Sequence, residues 1–415
     1  MITKHIVIVL SLLATTALAQ TDSTPSPAPP ETTFESAGRV ETIMFLPKDL
    51  MKGRLHTVGP QAENDGLLNT YFLYSGDRAF EVTTGLALRT RIRELYAIDK
   101  LRGMSKTDEF TKAMAAAGKQ KIDSVVGIVK DPVGTIKRVP QGASRFFGRI
   151  GESLKGGQSE GEGNMLQSIT GVQKAKVALA VKLGVSPYST NEELQEQLTN
   201  TARAMAGGGL VLTAATAAVG GVAGDVLTGL NVNETLQQTL VNSTASELRI
   251  INRKKLFALG VTRENADEFL MHPWYSPWHE TIITDALATI GVDPTQFLEK
   301  ACRALTEQDA TYFQSVAQVL ARYHKTKTPL RSLGLESGRV CALDSKGILV
   351  IPLSCDYAIW SEPAAGRVEA FSQLAQSRSE IKGLALWVDG KVSERAAQEL
   401  KNRNIDLAAG VLDRK

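Results

Sequence analysis

The chain has 415 residues, of which 43% are hydrophobic and 22% charged, and its formal net charge is +3 at pH 7. This composition excludes an intrinsically disordered chain, and the small net charge gives no support to nucleic-acid binding. Three cysteines exclude a disulfide-stabilised scaffold, although Cys302, Cys341 and Cys355 leave open either one disulfide with a free thiol or three buried thiols.

Residues 1–19 have the three parts of a secretory signal peptide. Lys4 supplies positive charge, residues 6–13 form an apolar core, and Ala17-Leu18-Ala19 is a small-x-small cleavage pattern. The apolar core is too short for a membrane helix, which needs about 20 apolar residues. Because position 20 is Gln and not Cys, a lipid anchor is not expected. We therefore predict a periplasmic or secreted protein that is not a lipoprotein.

Residues 20–37 are predicted to be a disordered linker, and residues 38–155 a mixed β-then-α domain with a basic segment. Four prolines among serines and threonines cannot build a core in the linker. The short apolar run 43–46 and the β-forming stretch 68–74 predict strands. From residue 86 the apolar residues recur at three- and four-residue steps, which predicts an amphipathic helix.

The basic segment 119–155 suggests contact with an anionic lipid surface. Valines, isoleucines and phenylalanines are interleaved there with lysines and arginines, as in membrane-surface segments. The candidate membrane-surface residues are Lys130, Lys137, Arg138, Arg145 and Arg149. A solvated face of the N-terminal domain is the alternative, because charge runs are usually solvated.

Residues 165–330 predict a helical bundle with short corners. In three corners an apolar residue ends a helix and is followed by Gly184, Gly260 or Gly291, which we expect in the left-handed conformation. A Ser, Thr or Asp then begins the next segment. Within the third corner, Asp293 and Gln296 fit a reciprocal N-cap pair.

Residues 335–415 predict a small α/β domain. Segments 339–343 and 348–353 flank a turn signal, and the strand–helix–strand–helix–strand pattern that follows implies right-handed crossovers onto a partly parallel sheet. The predicted fold class is therefore α+β and predominantly helical. It comprises a small mixed β/α N-terminal domain, a central helical bundle and a C-terminal α/β domain.

Three short strings carry a family resemblance: DPVGT at 131–135, PYSTN at 187–191 and GKVS at 390–393. Over much of the mature chain the sequence resembles uncharacterised exported proteins of Gram-negative bacteria. None of the strings is a chemical motif. The resemblance implies an envelope location and no particular activity.

The string HPWYSPWHE at 272–280 is the candidate ligand-binding site. It holds the paired histidines, aromatics and carboxylate that could face a ligand, namely His272, Trp274, Tyr275, Trp278, His279 and Glu280. His279-Glu280 begins the H-E-x-x-H zinc pattern, but Ile283 stands where the second histidine belongs, so no metal is predicted. The structural alternative is a helix corner, in which Ser276 caps a helix with Pro277 at its first position.

Two further segments resemble functional motifs. Gly157 to Gly161 matches G-x-S-x-G, but its flanks are a polar glycine linker, whereas a nucleophile elbow needs a strand before the serine and a helix after it. Residues 204–224 are uncharged and rich in glycine and alanine, which suits either close helix packing or membrane contact through 204–230. We favour a tightly packed helix, because large apolar side chains are few there.

The sequence thus predicts an exported cell-envelope protein with a non-enzymatic binding or structural role. One alternative is a membrane-interacting protein that uses 119–155 and 204–230. Another is an envelope hydrolase with a site at His272, His279 and Glu280. No catalytic residue, cofactor or nucleic-acid partner is predicted. An envelope protein or an anionic lipid surface is the expected partner, and the oligomeric state is left open.

Overall fold

The computed structural model describes residues 33–116, 162–206, 210 and 230–413. Over these residues the fold is α+β with more helix than strand, which confirms the predicted class. The described residues from Glu35 onward belong to one compact unit.

An antiparallel sheet opens the fold. Its strands are β1 (Gly38–Glu41), β2 (Thr57–Val58), β3 (Gln61–Asn64), β4 (Asn69–Ser75) and β5 (Arg78–Thr83). Strand β4 is central, and it pairs with β2, β3 and β5. Tyr71 and Leu73 alternate along β4 toward the core, where they pack with Leu88 and Ile92. The predicted β-forming stretch at 68–74 is thereby confirmed.

The apolar run 43–46, predicted as a strand, forms a 3-10 turn over Thr42–Met44 and leads into α1 (Lys48–Met51). The buried Thr42 donates its backbone N–H to the Pro60 carbonyl at 2.9 Å, which fixes the turn. Pro47 then prevents the run from continuing as a strand, because proline lacks the N–H that a ladder needs.

Helices fill the middle of the chain. They are α2 (Gly85–Ser105), α3 (Asp108–Ala116), α4 (Glu162–Lys182), α5 (Glu192–Ala206), α6 (Glu234–Asn242), α7 (Ala245–Ala258), α8 (Arg263–Leu270), α9 (Pro277–Ile290), α10 (Thr295–Ala301) and α11 (Glu307–Thr326). Gly184, Gly260 and Gly291 have φ of 71°, 85° and 72°, so the three predicted left-handed corners are confirmed. Helices α7, α9 and α11 pack side by side and carry much of the largest apolar core.

A mixed sheet closes the chain. Its elements are β6 (Leu330–Glu336), β7 (Arg339–Asp344), β8 (Ile348–Leu353), α12 (Glu362–Ser377), β10 (Gly383–Val388), α13 (Glu394–Asn402) and β12 (Ile405–Ala408). The strand order is β12-β10-β8-β7-β6, and β8, β10 and β12 are parallel, as the crossover pattern predicts. A parallel pair, β9 (Tyr357–Ala358) and β11 (Lys391–Val392), lies beyond the sheet. Helix α11 packs on one face, whereas α12 and α13 pack on the other.

The start of the described chain is bonded to its last third. Glu35 donates its backbone N–H to the Trp360 carbonyl at 2.8 Å, and its Oε2 accepts bonds from the Trp360 N–H and the Ser393 hydroxyl, both at 2.6 Å. The Ser393 hydroxyl also caps α13. These bonds fix the position of Trp360.

Candidate ligand-binding cavity

The predicted site at 272–280 is a helix corner whose side chains diverge. The rings of His272 and His279 both lie edge-on to the Tyr275 ring, with centroid distances of 5.3 and 6.5 Å. The Tyr275 hydroxyl donates to the Ala301 carbonyl at 2.9 Å. The half-buried Trp274 donates its backbone N–H to His272 Nδ1 at 3.5 Å. The structure therefore brings the two histidines and Tyr275 together around an internal contact.

The cap predicted for this corner is confirmed. The His279 N–H donates to Ser276 Oγ at 3.2 Å, the Ser276 N–H donates to His279 Nδ1 at 3.3 Å, and Pro277 begins α9. This arrangement needs an unprotonated Nδ1 on His279. Burial lowers the pKa of His279 to about 4, so the ring is neutral at pH 7 and keeps its bond to the cap.

Trp278 and Glu280 lie on other faces of α9. Trp278 Nε1 donates to the Leu240 carbonyl at 3.3 Å, and the ring packs at 6.1 Å from Tyr188. Glu280 is fully buried and accepts from Arg249 Nε and Nη2, both at 3.4 Å. Burial raises the pKa of Glu280 to about 7 against the opposing effect of Arg249. Their partners are internal, so a ligand-binding role for this corner stays a prediction.

The remaining sequence motifs lie outside the described residues. These are the candidate membrane-surface residues Lys130, Lys137, Arg138, Arg145 and Arg149, the G-x-S-x-G string at 157–161, and most of 204–230. Within the described ranges, no helix combines the length and the hydropathy that crossing a bilayer requires. Within the same ranges, no cluster of three or more His, Cys, Asp or Glu side chains is placed to hold a metal ion.

The three cysteines are unpaired thiols. Burial raises the pKa of Cys302 to about 12 and that of Cys341 to about 12, and it raises the pKa of Cys355 well above its ordinary value. The nucleophilic form of cysteine is the thiolate. At neutral pH these side chains are therefore protonated and behave as small apolar groups of the core.

A polar cluster that sequence reasoning did not predict surrounds Glu94 on α2. This buried carboxylate accepts from Arg91 Nη1 at 3.1 Å and Asn191 Nδ2 at 3.0 Å, and from the Ser189 hydroxyl. Ser189 and Asn191 belong to the PYSTN string, whose Thr190 donates to Glu307 at 2.7 Å. The string therefore joins α2 to α11 through the side chains of Ser189, Thr190 and Asn191.

An apolar cavity of about 100 Å³ lies between the C-terminal sheet and helices α12 and α13. Its walls come from β8, β10, β12, the two helices and the segment 358–360. The lining residues that matter below are Pro352, Trp360, Ala364, Phe371 and Ala396, with Arg339 and Arg367 as the charged members. Every other lining side chain is apolar. This is the kind of concave, mostly hydrophobic surface that binds small molecules.

The cavity has two causes in the sequence. First, α12 and α13 turn Ala364 and Ala396 toward it, and these short side chains leave space between helix and sheet. Second, β7 and β8 pair only over Ala342↔Val350 and Leu343↔Leu349, and beyond that point Pro352 has no N–H to offer a ladder. Beside the cavity β7 and β8 are therefore no longer paired.

Helix α12 covers the cavity mostly with half-buried side chains. Of its 16 residues Phe371 is buried, and Val368, Leu374 and Ala375 pack partly buried against the same apolar cluster. The Trp360 wall is held by Glu35, which bonds its backbone, and by the Arg403 guanidinium at 4.8 Å from the ring centroid.

The two arginines of the cavity differ in their surroundings. Arg339 is half-buried beside Tyr312: burial raises the pKa of Tyr312, and Arg339 opposes that rise. Arg367 is exposed, and no carboxylate among the described residues pairs with it. On α12, the residues three and four positions away are alanine, proline and phenylalanine, so the helix itself supplies no compensating charge.

Sequence reasoning missed this cavity, although it predicted most of the surrounding elements. Alanines at 364 and 396 and a proline at the end of a predicted strand were the available signals. Comparison of the chain with protein-family models, with curated proteins and with solved structures gave no match.

Proposed function

We propose that this chain is an exported cell-envelope protein with a non-enzymatic binding role, and that its ligand occupies the cavity beneath α12. The observation that carries the proposal is the apolar lining of that cavity, which ends at two arginines. The signal-peptide pattern of residues 1–19 and the resemblance to exported Gram-negative proteins support the location.

The energetics of the cavity support a binding role. The apolar walls of this 100 Å³ volume lack the van der Waals contacts that a fully packed helix–sheet interface would supply. A single larger side chain at position 364 or 396 would supply most of them. A ligand with an apolar body would supply the same contacts when it binds.

Xenon binding tests the site, because apolar cavities take up xenon. We expect xenon to shift the methyl NMR signals of Ile351, Leu353 and Val392, which line or adjoin the cavity. Ala364→Leu fills the cavity and should abolish these shifts. Ala370→Leu, on the exposed side of the same helix, should leave them intact.

Absence of xenon shifts in the unaltered protein would remove the cavity as a binding site. Equal shifts in both alanine variants would place xenon elsewhere.

The cellular location of the protein is tested separately by expressing the full chain in a Gram-negative host and determining the N-terminus of the periplasmic product. We expect Gln20 as the first residue, whereas an uncleaved chain that stays in the cytoplasm contradicts export.

A further inference from the structure

We infer that the cavity binds a short-chain carboxylate, with the hydrocarbon chain beneath α12 and the carboxylate on Arg367. This inference rests on the proposed function, because it names the ligand class of the same cavity. Its basis is the juxtaposition of an apolar volume with two arginines, Arg339 and Arg367, in its lining and with no acidic side chain there.

The charge balance around the cavity argues for an anion. Other arginines of this layer already have carboxylate partners: Arg378 pairs with Glu336 at 2.7 Å, and Arg403 pairs with Glu399 at 2.5 Å. Arg367 lines the cavity without such a partner among the described residues. A guanidinium presents two parallel N–H groups that match a carboxylate, and the resulting charge-assisted bonds are the strong ones.

The apolar walls argue against a purely ionic ligand. Val368 and Phe371 follow Arg367 along the same helix, and Ile351 and Leu386 face them from the sheet. An anion without a hydrocarbon chain would leave these surfaces uncovered. A ligand that satisfies both features carries a single anionic group at one end and an alkyl chain at the other.

The volume limits the length of that chain. A cavity of about 150 Å³ accommodates the six carbons of benzene, so 100 Å³ corresponds to about four carbon atoms, the length of the alkyl chain of pentanoate. A longer chain would have to displace α12 from Phe371 outward. We therefore choose pentanoate as the probe and 1-pentanol as its neutral counterpart.

The experiment compares four NMR titrations of the full mature chain at pH 7, following the cavity methyl groups and the Trp360 indole. The ligands are pentanoate, 1-pentanol, acetate and pentane-1-sulfonate. We expect pentanoate to bind about tenfold more tightly than 1-pentanol, which corresponds to one additional charge-assisted contact. Acetate should leave the cavity methyl signals unchanged, because it lacks the chain.

Substitutions at Arg367 assign the anion contact. Arg367→Gln should weaken pentanoate binding to the level of 1-pentanol and leave 1-pentanol binding unchanged. Arg367→Lys should retain part of the preference. Arg331→Gln, which removes an exposed charge from β6, is the matched control and should change neither affinity.

Each outcome decides one statement. Equal binding of pentanoate and 1-pentanol overturns the inference and leaves the proposed function standing. Binding of acetate as tight as that of pentanoate also overturns it, because the anion then binds at the surface alone. Tighter binding of the sulfonate than of pentanoate overturns the assignment of a carboxylate, because the preferred anionic group is then a larger oxyanion. If neither pentanoate, 1-pentanol nor xenon binds, the proposed function itself fails.

Discussion

The carboxylate of Asp356 is bonded to the first residue of α2, Gly85, which lies 271 positions earlier in the chain. Its Oδ1 accepts from the Gly85 N–H at 2.8 Å, and its Oδ2 accepts from the Asn69 N–H at 3.0 Å. The N–H groups of a first helical turn have no partner within the helix, and the positive end of the helix dipole favours a carboxylate there. One side chain thus connects the N-terminal sheet, α2 and the segment after β8.

Asp356→Ala should therefore destabilise the protein by about 2–4 kcal/mol, because two buried N–H groups lose their acceptor. Urea unfolding measures the loss, and amide exchange should show reduced protection at Gly85 and Asn69. Asp77→Ala, in an exposed turn, is the control and should change stability by less than about 0.5 kcal/mol. Equal effects of the two substitutions would contradict a bridging role for Asp356.

The neighbours His279 and Glu280 should give opposite pH dependences of folding. The folded-state pKa of His279 is about 4, below its ordinary value. Its contribution to the free energy of unfolding is therefore present above pH 6.5 and is lost as the pH falls. The folded-state pKa of Glu280 is about 7, above its ordinary value. Its contribution to the free energy of unfolding is therefore present below pH 4.5 and is lost as the pH rises. Between pH 4.5 and 6.5 the two contributions to the free energy of unfolding therefore change with pH in opposite directions.

Single substitutions separate these slopes. Relative to the unaltered protein, Glu280→Gln should become more stable as the pH rises from 4.5 to 6.5, because His279 then acts alone. His279→Gln keeps a side chain suited to the cap and should become less stable over the same range. Unfolding free energies at five pH values measure both trends. Parallel profiles for all three proteins would show that neither group titrates differently on folding.

The Glu94 cluster should behave as one unit. Glu94→Gln places an amide N–H₂ among donors and should cost about 2–3 kcal/mol of unfolding free energy. Asn191→Ala removes one donor and should cost less. In the double variant the two losses should fall short of additivity by about 0.5–2 kcal/mol, as a double-mutant cycle measures. Strict additivity would mean that the carboxylate and the PYSTN string act independently.

The elements that the sequence predicts well are those set by local chemistry. Gly184, Gly260 and Gly291 ended helices as expected, since the left-handed conformation strongly favours glycine. Where a distant partner competes, local reasoning was wrong. Gln296 was expected to bond back to its own N-terminal cap, but its Oε1 accepts from the Leu335 N–H at 3.1 Å. That partner lies on β6. The sequence did not indicate this strand, because buried and exposed residues do not alternate regularly along it.

The cavity could not be predicted for the same reason. Ala364 and Ala396 lie in ordinary amphipathic helices, and nothing in either helix alone shows that both alanines face one volume. Their proximity depends on two crossovers that place α12 and α13 on the same face of the sheet. The position of Arg367 at the edge follows from the same arrangement, whereas its lack of an acidic neighbour on α12 is visible in the sequence.

The bonds of Glu35 have a consequence for how the protein is made. Glu35 is synthesised well before its partners Trp360 and Ser393, which lie 325 and 358 residues later. Contacts of such long sequence separation form late, because the intervening chain must first be brought together. The bonds of Glu35 therefore form only after the segments that carry Trp360 and Ser393 have been synthesised and have folded next to each other.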